Sequence, residues 1–195
     1  MKKVLLLLAE GFEFYETSVF IDVIGWNLVE GDHSTQLFSC GLRREIKSSF
    51  NQCVIADFLV DEIDPEEYDA LAIPGGFEKF DFFRDAYDER FLRLIRIFNE
   101  KHKIIASVCV GALPIACSGI LINCRATTYN IKGIRQKELG SFGANVVNEP
   151  IVADDNVITS WNPSTAMEVA FQLLERLTSK ENCDYIREIM GFNPK

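Results

Sequence analysis

Ile104-Ile105-Ala106-Ser107-Val108-Cys109-Val110-Gly111-Ala112-Leu113-Pro114 is a short apolar run, rich in β-branched residues, that meets a thiol and then turns amphipathic. The run has the length and composition of a buried strand, and the residues after it have the pattern of a helix. Ser107 and Gly111 flank Cys109 two positions to either side. Small residues at those positions are what a nucleophile elbow needs, because a strand-to-helix turn that tight leaves no room for larger side chains. The elbow would hold Cys109 out at the carboxyl edge of a sheet. A helix beginning at Val110 would aim free N–H groups and a positive dipole end at the sulfur, which favours thiolate over thiol. The competing reading is a buried cysteine acting as a small hydrophobe.

Working outward, strand-length apolar runs recur at 3–9, 35–40, 53–58, 70–73, 104–108 and 157–160. Helical periodicity lies between several of them. Over 17–29, Val19, Phe20, Val23, Ile24 and Val29 gather near one face, and over 88–101 Phe91, Leu92, Ile95 and Phe98 do the same. Thr165-Ala166-Met167-Glu168 has capping-box spacing ahead of another apolar segment, with Asn162-Pro163 as a competing start signal. Residues 140–160 carry turn signals at Asn148-Glu149-Pro150 and Ala153-Asp154-Asp155-Asn156 and read as short strands or a hairpin. Alternating strands and helices predict an α/β fold, a mostly parallel sheet with helices on both faces, whose ligands bind beyond the carboxyl ends of the strands.

Bulk properties narrow the function classes. The 195 residues suit a single domain spanning 1–195, able to bury a full core without disulfides or a structural metal. With 20 basic against 29 acidic residues and a net charge of −9, the chain has no basic footprint for nucleic acid or an anionic membrane. Met1-Lys2-Lys3 and the apolar residues after it imitate a signal peptide, but Glu10 ends the run too early. No other run is long enough to span a bilayer. The six cysteines have irregular spacings without a Cys-x-x-Cys pair, and the two histidines, His33 and His102, are not at ligand spacing from a cysteine pair. That disfavours a disulfide framework and zinc alike, so no metal and no cofactor are expected, in a reducing cytoplasm.

Two further strand ends carry chemistry of their own. The first is followed by Glu10-Gly11-Phe12-Glu13-Phe14-Tyr15-Glu16-Thr17, a glycine loop that brings carboxylates into a helix start. Glu16 there either complements the dipole or reaches Cys109. The fourth is followed by Pro74-Gly75-Gly76, where paired glycines either make an ordinary turn or let backbone amides approach a ligand. Together with the Val110 amide they would supply an oxyanion pocket. A nucleophile, a proton-handling group and an anion stabiliser would then share one sheet edge.

With these motifs in order, and with Thr127-Thr128 and Thr159-Ser160-x-x-Pro163 beyond them, the chain resembles the ThiJ/PfpI (DJ-one) superfamily over nearly its whole length. The resemblance implies a flavodoxin-like three-layer α/β sandwich, found as a homodimer. It identifies Cys109 with the family's reactive cysteine, Glu16 with the glutamate that hydrogen-bonds it, and Gly75, Gly76 and Val110 with the backbone donors. A carboxylate and a thiolate this close should share one proton, which predicts Glu16 protonated and Cys109 ionised.

Departures from the family pattern narrow the chemistry. Protease-like members follow the cysteine with histidine, where Val110 stands here, so a cysteine protease is disfavoured. Tyr129 follows the paired threonines where a histidine stands in one branch, and with an ordinary pKa near 10 a tyrosine is a poor base. Phe50 and Trp161 align with arginines near that branch's site, which predicts an aromatic mouth lined by Phe50, Tyr129 and Trp161 and suited to a small neutral or apolar molecule. The alternative is that both aromatics pack in an interface or under a loop. Three functions follow: a cysteine-dependent lyase or hydrolase on small carbonyl compounds, a stress-protective protein whose Cys109 oxidises reversibly, and a non-catalytic module binding a small molecule.

Overall fold

The computed structural model describes residues 1–192. Eleven strands, β1 (Lys2–Leu8), β2 (Thr35–Gly41), β3 (Glu45–Lys47), β4 (Cys53–Ile55), β5 (Phe58–Leu59), β6 (Ala70–Ile73), β7 (Ile104–Ser107), β8 (Arg125–Ala126), β9 (Asn145–Val146), β10 (Ile151–Asp154) and β11 (Val157–Ser160), are found among these residues. Seven of them form one sheet in the order β10-β11-β7-β6-β1-β2-β5. Every neighbouring pair in it is parallel except β10 with β11, which form an antiparallel hairpin. The expected mostly parallel sheet is present, and the stretch before Ser160 is the expected hairpin.

Helices cover both faces: α1 (Phe14–Glu30), α2 (Phe82–Ala86), α3 (Glu89–Glu100), α4 (Ala112–Cys117), α5 (Ile134–Ser141), α6 (Ala166–Leu177) and α7 (Lys180–Ile189). The period-two geometry of β1 explains why two layers are needed. Val4, Leu6 and Leu8 point into a cluster with residues of α1, α6 and α7, while Leu5 and Leu7 point into a second cluster with residues of α2, α3, α4 and α5. All five are completely buried.

Three local expectations need correction. The apolar run 53–58 is not one strand: Asp57 interrupts it, its carboxylate taking the Ser39 amide and hydroxyl at 2.8 Å each. Only Phe58 and Leu59 join the main sheet, and Cys53–Ile55 pairs with β3 in a separate hairpin. On α1, Val29 is 67% exposed although Val19, Phe20, Val23 and Ile24 are buried as expected, because a residue five positions beyond Ile24 has rotated off the apolar stripe. The start signal at Asn162-Pro163 wins over Thr165: the Asn162 side chain accepts from the Ser164 amide at 3.1 Å and a 3₁₀ turn over Pro163–Thr165 leads into α6.

The strand order reverses beside β1, since the chain runs from β1 outward through β2 to β5 and then returns to β6 on the other side. Such a switch point leaves a crevice at the carboxyl ends of the strands. The loops after β1, β6 and β7 meet there.

Candidate active site

Those loops are tied together before any side chain acts. Phe12 and Gly76 form an isolated antiparallel bridge, with Glu13 N–H donating to Gly75 O at 2.8 Å and Phe77 N–H to Gly11 O at 3.0 Å. A β-carbon on Gly76 would lie 2.4 Å from Gly11 O and 2.3 Å from the Phe82 ring, so the close approach of the two loops requires glycine there.

Cys109 sits at the turn after β7 with φ of 57°, a left-handed conformation that a residue bearing a β-carbon rarely adopts. This is the strained backbone of an elbow. A β-carbon on Gly111 would approach Ile73 O to 2.5 Å, which explains the small residue on that side, and Ser107 on the other is fully buried. Thr128 fixes the turn by donating its hydroxyl to Cys109 O at 2.8 Å. The α-helix itself begins only at Ala112, after a 3₁₀ turn over Cys109–Gly111, and ends at Cys117. The expected helix from Val110 is therefore short, and the Val110 amide is the backbone donor that faces the sulfur.

Glu16 lies in the first turn of α1, completely buried. Its Oε2 accepts the Gly75 amide at 2.7 Å, while Oε1 has no hydrogen-bond partner among the described residues. Position 75 is the point on which the site converges: a β-carbon there would lie 2.8 Å from Glu16 Oε2, 2.9 Å from the Cys109 β-carbon and 3.1 Å from the Val110 nitrogen. The structure thus brings Glu16, Gly75, Cys109 and Val110 together. It also redirects one of them, because the Gly75 amide is committed to the glutamate and only Gly76, with Val110, faces the cavity.

The cavity beside Cys109 has a volume of about 320 Å³. Tyr129 lines it as expected, but Phe50 and Trp161 do not. Phe50 is 54% exposed and packs edge-on against Phe77, ring centroids 5.7 Å apart, so it reaches the rim through a neighbour. From the segment of Trp161 it is Pro163 that lines the wall. Sequence reasoning missed Glu13, Phe77, Glu78 and Arg135, which also line it. Glu13 lies within the first loop singled out and Phe77 and Glu78 directly follow the second, and their proximity to those motifs was the available signal. Arg135 on α5 had none. It donates to Glu78 at 2.6 Å and to Glu138 at 2.7 Å, and its guanidinium lies 4.7 Å from the centroid of the Phe83 ring. The mouth is therefore part aromatic and part an ion-paired polar wall, rather than aromatic throughout.

Burial governs the ionisation of the central pair. It lifts the Glu16 carboxyl to about 8, with the nearby Glu13 adding to the rise and the Gly75 amide opposing it. The neutral glutamate expected at pH 7 follows. Burial also pushes the Cys109 thiol well above its ordinary value, the Glu16 carboxylate pushing the same way and the Val110 amide opposing. Burial thus works against the expected preformed thiolate, and two buried acids side by side release their first proton as a pair and hold the second tightly. His102, the other imaginable base, lies at the amino end of β7 with its side chain 82% exposed, the length of the strand away from Cys109.

A model of the DJ-1/PfpI family matches residues 2–176. An uncharacterized protein of Staphylococcus epidermidis is 28% identical over 176 residues, which make up 90% of this chain and 98% of that protein. The crystal structure of Drosophila melanogaster DJ-1beta superposes with a TM-score of 0.83 at 22% identity, covering 97% of each chain. The solved structure of oxidized Toxoplasma gondii DJ-1 gives a TM-score of 0.79 at 23% identity, covering 97% of this chain and 98% of the other. These likenesses establish the same flavodoxin-like arrangement of sheet and helices.

Proposed function

The chain belongs to the DJ-1/PfpI family, and we propose that it is a cofactor-free enzyme in which Cys109 attacks the carbonyl carbon of a small aldehyde, ketone or ester. The convergence of Glu16, Cys109 and Val110 around position 75 carries this reading. In the singly deprotonated pair, the thiol proton passes to Glu16 as the sulfur lone pair forms the C–S bond, and the carbonyl π pair moves to oxygen. The Gly76 and Val110 amides receive the developing oxyanion. Glu16 then returns the proton. With an aldehyde the product is a hemithioacetal; with an ester the alkoxide leaves with the proton, and water hydrolyses the thioester that remains. Turnover of small oxoaldehydes and activated esters by wild type and Cys109→Ser tests the proposal, which equal rates would refute.

A second reading has its own support. Glu16 Oε1, buried and without a partner, would in the protonated acid be a free donor beside the sulfur, suited to hold an oxygen added there by a peroxide. One such addition converts the thiol to a sulfenic acid and the peroxide to water or an alcohol. Intact mass after mild peroxide should show oxygen at Cys109 before the other cysteines; a random distribution excludes this reading. Ligand binding without turnover or selective oxidation would leave the third, a binding module. We further propose a homodimer acting inside the cell. No helix among the described residues is long and apolar enough to cross a membrane.

A further inference from the structure

A second cavity of about 370 Å³ adjoins the one beside Cys109, and the two share Glu78, Tyr129 and Arg135 as a common wall. The halves of that wall are held very differently. Arg135 is braced: Glu138 pairs with it at 2.7 Å, the Tyr87 hydroxyl donates to Glu138 at 2.9 Å, and the Phe83 ring lies beneath the guanidinium. Glu78 has a side chain 71% exposed, and its ion pair with Arg135 is of the solvent-screened kind that contributes little and opens readily. Beyond the wall, Ile131 and Ile134 are 51% and 64% exposed and line the outer cavity. They flank Lys132 and Gly133, consecutive residues with φ of 65° and 67°. A local bond from the Gly133 amide to Asn130 O at 3.2 Å closes the turn that sets the two isoleucines over the cavity. A three-carbon oxoaldehyde would occupy a small part of the inner cavity and none of the outer one.

Resting on the nucleophilic role of Cys109 proposed above, we propose that the substrate is elongated: a reactive carbonyl head at Cys109 and an apolar tail of about six to ten carbons that passes the Glu78–Arg135 wall and lies on Ile131 and Ile134. Glu78 is the movable part of the wall and Arg135 the fixed post. With an ester of this class, Cys109 forms the C–S bond to the acyl carbon, the alcohol departs with a proton, and water releases the fatty acid.

Two readouts separate this inference from the reading beneath it. The first is kcat/KM on p-nitrophenyl esters from acetyl to decanoyl. It should rise at least tenfold from acetyl to octanoyl in wild type, and Ile131→Ser/Ile134→Ser should reduce that ratio to within threefold of one. Ile55→Ser, which alters a 73% exposed isoleucine on β4, should leave the ratio as it was. Glu78→Ala should move the optimum to longer chains. The second readout needs no turnover: the rate at which N-alkyl iodoacetamides, methyl to octyl, alkylate Cys109, followed by mass spectrometry. The octyl reagent should react at least fivefold faster than the methyl one in wild type and lose that advantage in the double variant. Cys109-dependent reaction without tail preference overturns the elongated substrate while sparing the nucleophile; ester turnover unaffected by Cys109→Ser, or a Cys109 inert to every reagent, overturns the nucleophile and the inference with it.

Discussion

The amide of Gly75 donates to Oε2 of Glu16 at 2.7 Å, so the strand end that would have supplied an oxyanion donor instead holds the proton-handling group in place. Glycine is needed for that bond. The β-carbon of Gly75→Ala would stand 2.8 Å from Oε2, the end of the side chain that this bond holds, and 2.9 Å from the Cys109 β-carbon, so making room for it means displacing the glutamate. We expect the variant to lose about 1–3 kcal/mol of stability by overpacking and at least tenfold in Cys109 alkylation rate. Equal alkylation rates would show that the Glu16 position is immaterial.

Alkylation of Cys109 should rise with pH through an inflection near 8, where burial places the Glu16 carboxyl and where the pair gives up its first proton. Glu16→Gln should abolish that inflection and slow the reaction at least tenfold at pH 8. An identical profile in the two proteins would mean that the glutamate does not handle the thiol proton.

The same raised carboxyl makes stability depend on pH. Glu16 titrates at 4.5 when unfolded and at about 8 when folded, so between those values the native state binds the extra proton and stability falls as pH rises. The decline attributable to this group is at most about 1.4 kcal/mol per pH unit. Urea unfolding at pH 5 to 8 should show a shallower decline in Glu16→Gln than in wild type; parallel curves would contradict the raised value.

Asp85 is a structural counterpart with the opposite titration. Burial would raise its carboxyl, but hydrogen bonds from Arg43 and the Glu10 amide hold it below the ordinary carboxylate range. Arg43 reaches it at 2.9 Å and the Glu10 amide at 2.9 Å, which fixes the loop leading to Glu16. Asp85→Ala should cost about 1–3 kcal/mol, because it leaves the part-buried Glu10 amide without its acceptor and Arg43 with Glu10 as its remaining partner. Thermal unfolding at pH 7 checks it, and a loss under about 0.5 kcal/mol would place the loop's anchorage elsewhere.

Residues 70–73 and 157–160 fold as the strands their apolar runs predict, because a strand buried on both faces needs little beyond local composition. Cys109 was legible for a related reason: the elbow's steric demands fall on Ser107 and Gly111, close by in the chain. The break at Asp57 was not legible, since it depends on Ser39 in another strand. Nor was Arg135, which joins the cavity wall through a partner 57 residues away and lies in a helix with little apolar periodicity. The forces on the Cys109 proton were only half legible, because sequence displays the helix start that favours a thiolate, whereas the desolvation that opposes it exists only once the core is assembled.

The left-handed backbone of Cys109 has a consequence for how the protein fails. A residue with a β-carbon held at that φ costs of order 1 kcal/mol locally, and it persists only while β6, β7 and the Thr128 hydroxyl over-determine the turn. The elbow can then relax when the surrounding packing loosens. On heating, the accessibility and reactivity of the sulfur should change below the temperature at which the sheet melts, so that loss of function precedes loss of fold.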